Sequence, residues 1–169
     1  RFAAVNVVED DRYGGGSVMV WAGISLPGHT DLYVIQNGNL TGERYRNEIL
    51  DAHVRPYAGA IGTEFLLMDD NARPHRARVV DQYLNTEAIE RMDWPARSPD
   101  LNPIEHAWGM LQRALSTLPV QPRSLQELGL SLTQVWNHSI PQQRLTRLIA
   151  SMRRRCEAVI AARGGHTQY

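Results

Sequence analysis

Apolar positions along this chain alternate between a strand-like and a helix-like period. Val18 to Leu26 (VMVWAGISL) is almost continuously apolar, rich in β-branched and aromatic residues, and predicts a buried strand. Pro27-Gly28-His29 is a turn and Asp31 to Gln36 (DLYVIQ) a second strand, so the pair reads as a hairpin. Ahead of it, residues 1–12 are mixed, with VNVV a short candidate strand, and Tyr13 to Ser17 (YGGGS) a flexible turn. Thr41 predicts a helix cap, with Tyr45, Ile49 and Ala52 on one face through about Val54, and Pro56 and Gly59 ending the helix. Phe65 to Met68 is a short apolar strand of the kind buried on both faces of a parallel sheet. Arg76 to Leu84 predicts a helix facing inward through Val79, Val80 and Tyr83, and Ile89 to Met92 a last strand. Trp94 to Pro103 (WPARSPDLNP) carries three prolines and must be irregular.

The last third reads as helices. Pro103 to Ser116 places Ile104, Trp108, Leu111 and Leu115 on one face. Ser124 to Glu127 fits a capping box opening a helix to about Trp136. Ser139 to Gln142 opens a third, carrying Leu145, Leu148, Ile149, Met152, Val159 and Ile160 at helical spacing and ended by Gly164-Gly165. Cys156 on this helix is expected in the core. The order of strands and helices is that of an α/β fold. In such sheets sites form at the carboxyl ends of parallel strands, where Asp70 falls.

Composition narrows the classes. At 169 residues this is one domain's worth of chain, and its 43% hydrophobic and 21% charged content fits an ordinary globular protein. No apolar run is long enough for a membrane-spanning helix, so no membrane partner is expected. The single cysteine excludes an intramolecular disulfide and a cysteine-based zinc cluster. The chain opens on Arg1 rather than Met, and is expected to begin inside a longer protein. Its zero net charge hides an asymmetry: residues 1–141 sum to −5 and residues 142–169 to +5, with every basic residue an arginine. Arginine suits bidentate phosphate contacts, so Arg153, Arg154 and Arg155 are DNA-binding candidates, although a solvated basic tail helix would look the same.

Two acids frame the chemistry. Asp70 and Glu105 have 34 residues between them. Adjacent side chains on a strand point opposite ways, so of Asp69 and Asp70 only one can face a given site. A polar strand exit capping the next helix would equally explain Asp69-Asp70-Asn71. Asn102-Pro103-Ile104-Glu105 likewise fits an N-cap, proline at the first helical position and glutamate at the third, which needs no function. A cation bridging Asp70 and Glu105 is geometrically allowed, and paired acids are what an oxygen-loving Mg²⁺ requires. His75 could orient a water or contact phosphate, or simply pack on a neighbouring ring. His106 has no HExxH partner, and neither a G-x-S-x-G elbow nor a P-loop is present.

LLMDDNARPHRARVV followed by MDWPARSPDLNPIEHAWGML resembles the catalytic core of mariner-type transposases of the Tc-like branch, within the DDE transposase and integrase group. GGGSVMVWAGIS resembles that family's second strand, and SMRRRCEAVIAARGGHTQY its C-terminal end, so the likeness covers essentially the whole chain. It implies an α/β, ribonuclease H-like fold lacking its central first strand, with a C-terminal helical segment. Residues 1–116 would be the partial core, 117–123 a linker and 124–169 the C-terminal helices of the same domain. The family's second catalytic aspartate falls on Asp70 and its third acid on Glu105, both metal ligands, with Asn71 and His75 as accessory candidates. The first aspartate has no counterpart, so the chain is expected to be inert alone and its sheet incomplete, with the hairpin displaced or the gap closed by residues 3–8. The resemblance further implies two Mg²⁺ (or Mn²⁺) ions, transposon-end and target DNA as partners, a homodimeric parent and a nuclear location. The parent would cleave transposon ends and transfer strands. The alternative is a catalytically dead remnant that binds DNA or self-associates. Gly109 departs from the acid or polar residue common at that family position, and Arg153 stands near a usual proline.

Overall fold

The computed structural model describes residues 6–9, 17–95, 98, 101–163 and 165. The turn expected over residues 13–16, part of the proline-rich stretch and Gly164 lie outside them. β1 (Asn6–Glu9), β2 (Ser17–Trp21) and β3 (Tyr33–Ile35) form an antiparallel sheet in that order, with Val7 opposite Met19 and Met19 opposite Ile35. The expected hairpin is therefore β2 and β3. β4 (Leu66–Leu67) and β5 (Glu90–Arg91) form a separate parallel pair. Among the described residues the sheet is thus divided, as expected, with Asn6–Glu9 running along β2 but not reaching β4.

Strand alternation makes β2 the boundary between two cores. Val18, Val20 and Ala22 face one cluster, with Trp108 and Leu111 of α4 (Pro103–Ser116), Leu128, Leu132 and Trp136 of α5 (Leu125–Ser139) and Leu145 of α6 (Gln142–Ala150). Trp21 faces the other, with Tyr45, Ile49, Leu50, Leu67, and Val80 and Leu84 of α3 (Arg78–Thr86). Helices on both faces of a sheet are what a two-sided apolar strand demands. Trp136 fastens α5 to the hairpin, its Nε1–H donating to the Thr30 carbonyl at 2.9 Å.

Several expectations are corrected. The helix opened by Thr41 does not stop at Pro56: α1 (Gly42–Arg44), a π-helical stretch (Tyr45–Val54) and α2 (Arg55–Ile61) run on as one rod. Pro56 falls where the wide bonding register gives way to the α register, a point at which a missing N–H costs little. Gly59 is accommodated within the helix, and Gly62, with φ +88°, ends it. The wide register also moves the buried face, which runs Tyr45, Ile49, Leu50 and Val54 at steps of four, one and four, leaving Ala52 exposed. On β4, Leu67 is buried but Leu66 is 42% exposed, because the pair has a partner strand on one side only. The long final helix breaks at Ser151, and α7 (Met152–Ala161) restarts with a shifted face. Arg155 becomes its buried residue, while Ile160 is 76% exposed and Cys156 lies on the surface rather than in the core.

Candidate metal-binding site

The Leu66–Leu67 strand delivers two adjacent carboxylates, and the pleat sends them opposite ways. Asp69 turns inward and is only 6% exposed. Tyr45 Oη donates to its Oδ2 at 3.1 Å and Arg76 Nη1 to its Oδ1 at 2.7 Å. Burial, and then the Asp69 charge, push the Tyr45 hydroxyl well above its ordinary pKa, so it stays a donor. Asp69 is a structural group, holding the rod to the turn after β4.

Asp70 turns the other way. Its Oδ1 accepts the Ala72 backbone N–H at 2.9 Å and the His75 ring Nδ1–H at 2.7 Å. A carboxylate can only accept, so Nδ1 carries the proton of this bond. His75 is 1% exposed and stacks on Tyr45, ring centroids 4.1 Å apart, with its Nε2 buried and unpartnered among the described residues. Asp70 is thus oriented through one oxygen, and Oδ2 takes neither bond. Arg91 Nη1 donates to the His75 carbonyl at 3.0 Å, and Asn71 Nδ2 to the Trp94 carbonyl at 3.0 Å. These bonds fix the Asp70 turn against β5 and the loop beyond it.

Glu105 sits where its N-terminal pattern places it. Asn102 caps α4, its Oδ1 accepting the Ile104 N–H at 3.2 Å, and Pro103 occupies the first turn. Glu105 is half-buried one residue beyond. A cavity of about 320 Å³ between the two sheets is walled by Asp69 and His75 on one side and Asn102 to Ile104 on the other. Asp70 and Glu105 are the next residues in the chain and do not line that cavity, Glu105 lining a different cleft. The two acids are of the right chemistry for a hard divalent cation, but among the described residues no group of three or more His, Cys, Asp or Glu side chains gathers to hold one.

The Arg153-Arg154-Arg155 run does not act as one patch. Arg153 is exposed and paired with Glu157 at 3.0 Å, Arg154 is exposed, and Arg155 is buried, its Nε donating to Ser151 Oγ at 3.0 Å. Consecutive helical residues point about 100° apart, which scatters the three. Missed from the sequence was a cleft of about 460 Å³ where Arg113, Arg144 and Arg147 join Arg155 beside Glu105 and His106. Burial, then the charges of Arg155 and Arg113, pull the His106 pKa below its usual value. Also missed was the Tyr45–Asp69–Arg76 cluster, whose one sequence signal is the dense polar spacing of DDNARPHR.

A family model described as DDE superfamily endonuclease matches residues 6–128. The Transposable element Tcb1 transposase of Caenorhabditis briggsae is 37% identical over 160 residues, covering 94% of this chain. The chain spans 56% of that relative's length. Among solved structures, the Mos1 transposase catalytic domain with Raltegravir and Mg superposes with a TM-score of 0.74 at 21% identity, over 90% of this chain and 77% of that one. The Mos1 transposase paired-end complex with left transposon end gives a TM-score of 0.77 at 20% identity, over 90% of this chain and 45% of that one. At these identities the structural likeness shows the ribonuclease H-like integrase fold alone.

Proposed function

Since the chain belongs to the DDE superfamily of endonucleases, we propose that it is the catalytic segment of a DNA transposase in which Asp70 and Glu105 are two of the metal-binding acids. The observation that carries this is the orientation of Asp70: His75 and the Ala72 N–H hold one oxygen at 2.7 and 2.9 Å and leave the other out of both bonds, at a strand's carboxyl end. Glu105 supplies the second carboxylate from a capped helix start. Mg²⁺ or Mn²⁺, as two ions in the intact site, would stabilise both attacking and leaving oxygens in cleaving a transposon end and joining it to target DNA. The chain's own contribution is positional. His75 fixes the Asp70 rotamer, Tyr45 backs His75, and Asp69 and Arg76 lock the turn that carries all of them. Asn71 is an accessory through its bonds to the Trp94 carbonyl and to Arg76 Nε. A third acid must come from outside the described residues. Transposon ends and target DNA are the partners, the parent works as a homodimer, and its eukaryotic relatives suggest work in the nucleus.

Nicking of transposon-end DNA in Mn²⁺ tests this. These 169 residues alone are expected not to nick. A longer parent carrying the third acid is expected to cut, and to lose cutting in both Asp70→Asn and Glu105→Gln. Undiminished cutting in either variant would remove that residue from the site. A second reading is a remnant that binds DNA without cutting. A parent that binds transposon ends but never nicks them would establish it.

A further inference from the structure

We propose that the arginine cleft beside Glu105 is a phosphate site, seating a phosphodiester of the DNA strand on which the acids act; this rests on the metal-site reading above. Three helices build it. α4 contributes Glu105, Gly109 and Arg113, each one turn beyond the last and so on one face. α6 contributes Arg144 and Arg147, and α7 the buried Arg155, which Ser151 holds by its Nε. Four guanidinium groups thus line a space of about 460 Å³ with a single carboxylate.

Clustered cations repel one another, and proteins ordinarily relieve that with acids. Arg44, Arg55, Arg76, Arg91 and Arg153 each pair with a carboxylate within 3.0 Å. Arg113, Arg144 and Arg147 form no ion pair of this kind among the described residues, and all three are exposed and line the cleft. The missing counter-charge is an anion, and the planar guanidinium fork matches phosphate oxygens. An isolated phosphate beside Glu105 would meet a negative charge. A phosphodiester whose neighbouring linkage is bound through cations at that glutamate would not, since the ions invert the local field.

Gly109 sits within the fourteen-residue α4, where glycine is the weakest ordinary helix former. A Cβ built there lies 3.5 Å from Arg113 Nη1, so a side chain at this position would stand beside the guanidinium. An acid at this position would neutralise it. Glycine keeps the floor of the cleft open.

Fluorescence anisotropy of this chain on labelled duplex DNA, titrated with KCl at a fixed concentration of Mn²⁺, tests the site. Each phosphate contact contributes about 0.9 to the slope of log affinity against log salt. Arg113→Ala and Arg147→Ala are each expected to lower the slope by about that amount, and together by about twice it. Both side chains are exposed, and circular dichroism melts confirm that the variants fold. Gly109→Glu is expected to lower the slope more than Gly109→Gln, which has the same bulk without the charge. Arg55→Ala, on α2 and paired with Asp51, is the control expected to leave the slope alone. An unchanged slope in the Arg113/Arg147 double variant, or no DNA binding by the parent sequence at low salt, overturns the site. Such a failure with metal-dependent cutting intact in the longer protein would leave Asp70 and Glu105 standing. Loss of slope with cutting indifferent to Asp70→Asn would reject the metal site and keep the cleft.

Discussion

Truncating Arg76 should unmask how much the fold depends on the buried Asp69 carboxylate. Asp69 is 6% exposed and its partners are the Arg76 guanidinium at 2.7 Å and the Tyr45 hydroxyl at 3.1 Å. Arg76→Ala leaves that charge buried with one neutral donor. Breaking a buried pair from one side costs about 3–5 kcal/mol. Arg76 is itself 26% exposed, so water can reach the vacated side and the cost falls near the lower end, about 3 kcal/mol. Tyr45→Phe removes one hydrogen bond to a charged acceptor and keeps the ring on His75, at a cost of about 1.5–3 kcal/mol. Either loss is a large share of a typical domain stability of about 5–15 kcal/mol. The assay is urea unfolding followed by tryptophan fluorescence, with slope and midpoint fitted together. In an Asp69→Asn background both penalties should shrink, because the charge they serve is gone, giving a coupling of about 0.5–3 kcal/mol. Arg76→Ala within about 0.5 kcal/mol of the parent, or the same penalty in both backgrounds, would refute this account of Asp69.

Further outcomes follow from single residues. Trp136→Ala, at 0% exposure and packed on Trp108 with ring centroids 5.1 Å apart, should cost about 3–5 kcal/mol in the same unfolding assay. Two glycine-to-alanine changes should have opposite signs: at Gly109 the new Cβ finds only ordinary contact and gains about 1 kcal/mol of helix propensity, read as a raised Tm. At Gly42 it would collide with the Ala77 Cβ, forcing α1 from α3 at about 1–3 kcal/mol and lowering Tm. Glu48 accepts Arg44 Nε at 2.6 Å and Tyr33 Oη at 2.9 Å, and the Arg44 bond chiefly lowers its pKa below the usual 4.5. Its stabilisation is therefore full above pH 4.5 and lost as pH falls through the depressed folded value, so Glu48→Gln should flatten the acid limb of a Tm-against-pH profile.

The sequence by itself determined the elements whose signals are local. Hydrophobic period and caps placed α4 at Pro103 to Ser116 and the start of α5 after Ser124, because a cap acts within four residues of the helix it begins. The motifs around Asp70 and Glu105 name both acids as candidates from sequence alone. Tertiary structure decided what local pattern cannot carry. The wide turns of the π-helical rod exchanged Ala52 for Leu50 and Val54 in the core, and the break at Ser151 turned Arg155 inward and Cys156 outward. Which of two adjacent aspartates is structural depended on Tyr45, 24 residues away from Asp69, reaching it across the fold. The arginine cleft depended on three helices converging. A side chain's facing is set by periodicity only while its helix keeps one register, and its partners are set by packing between elements that are distant in sequence.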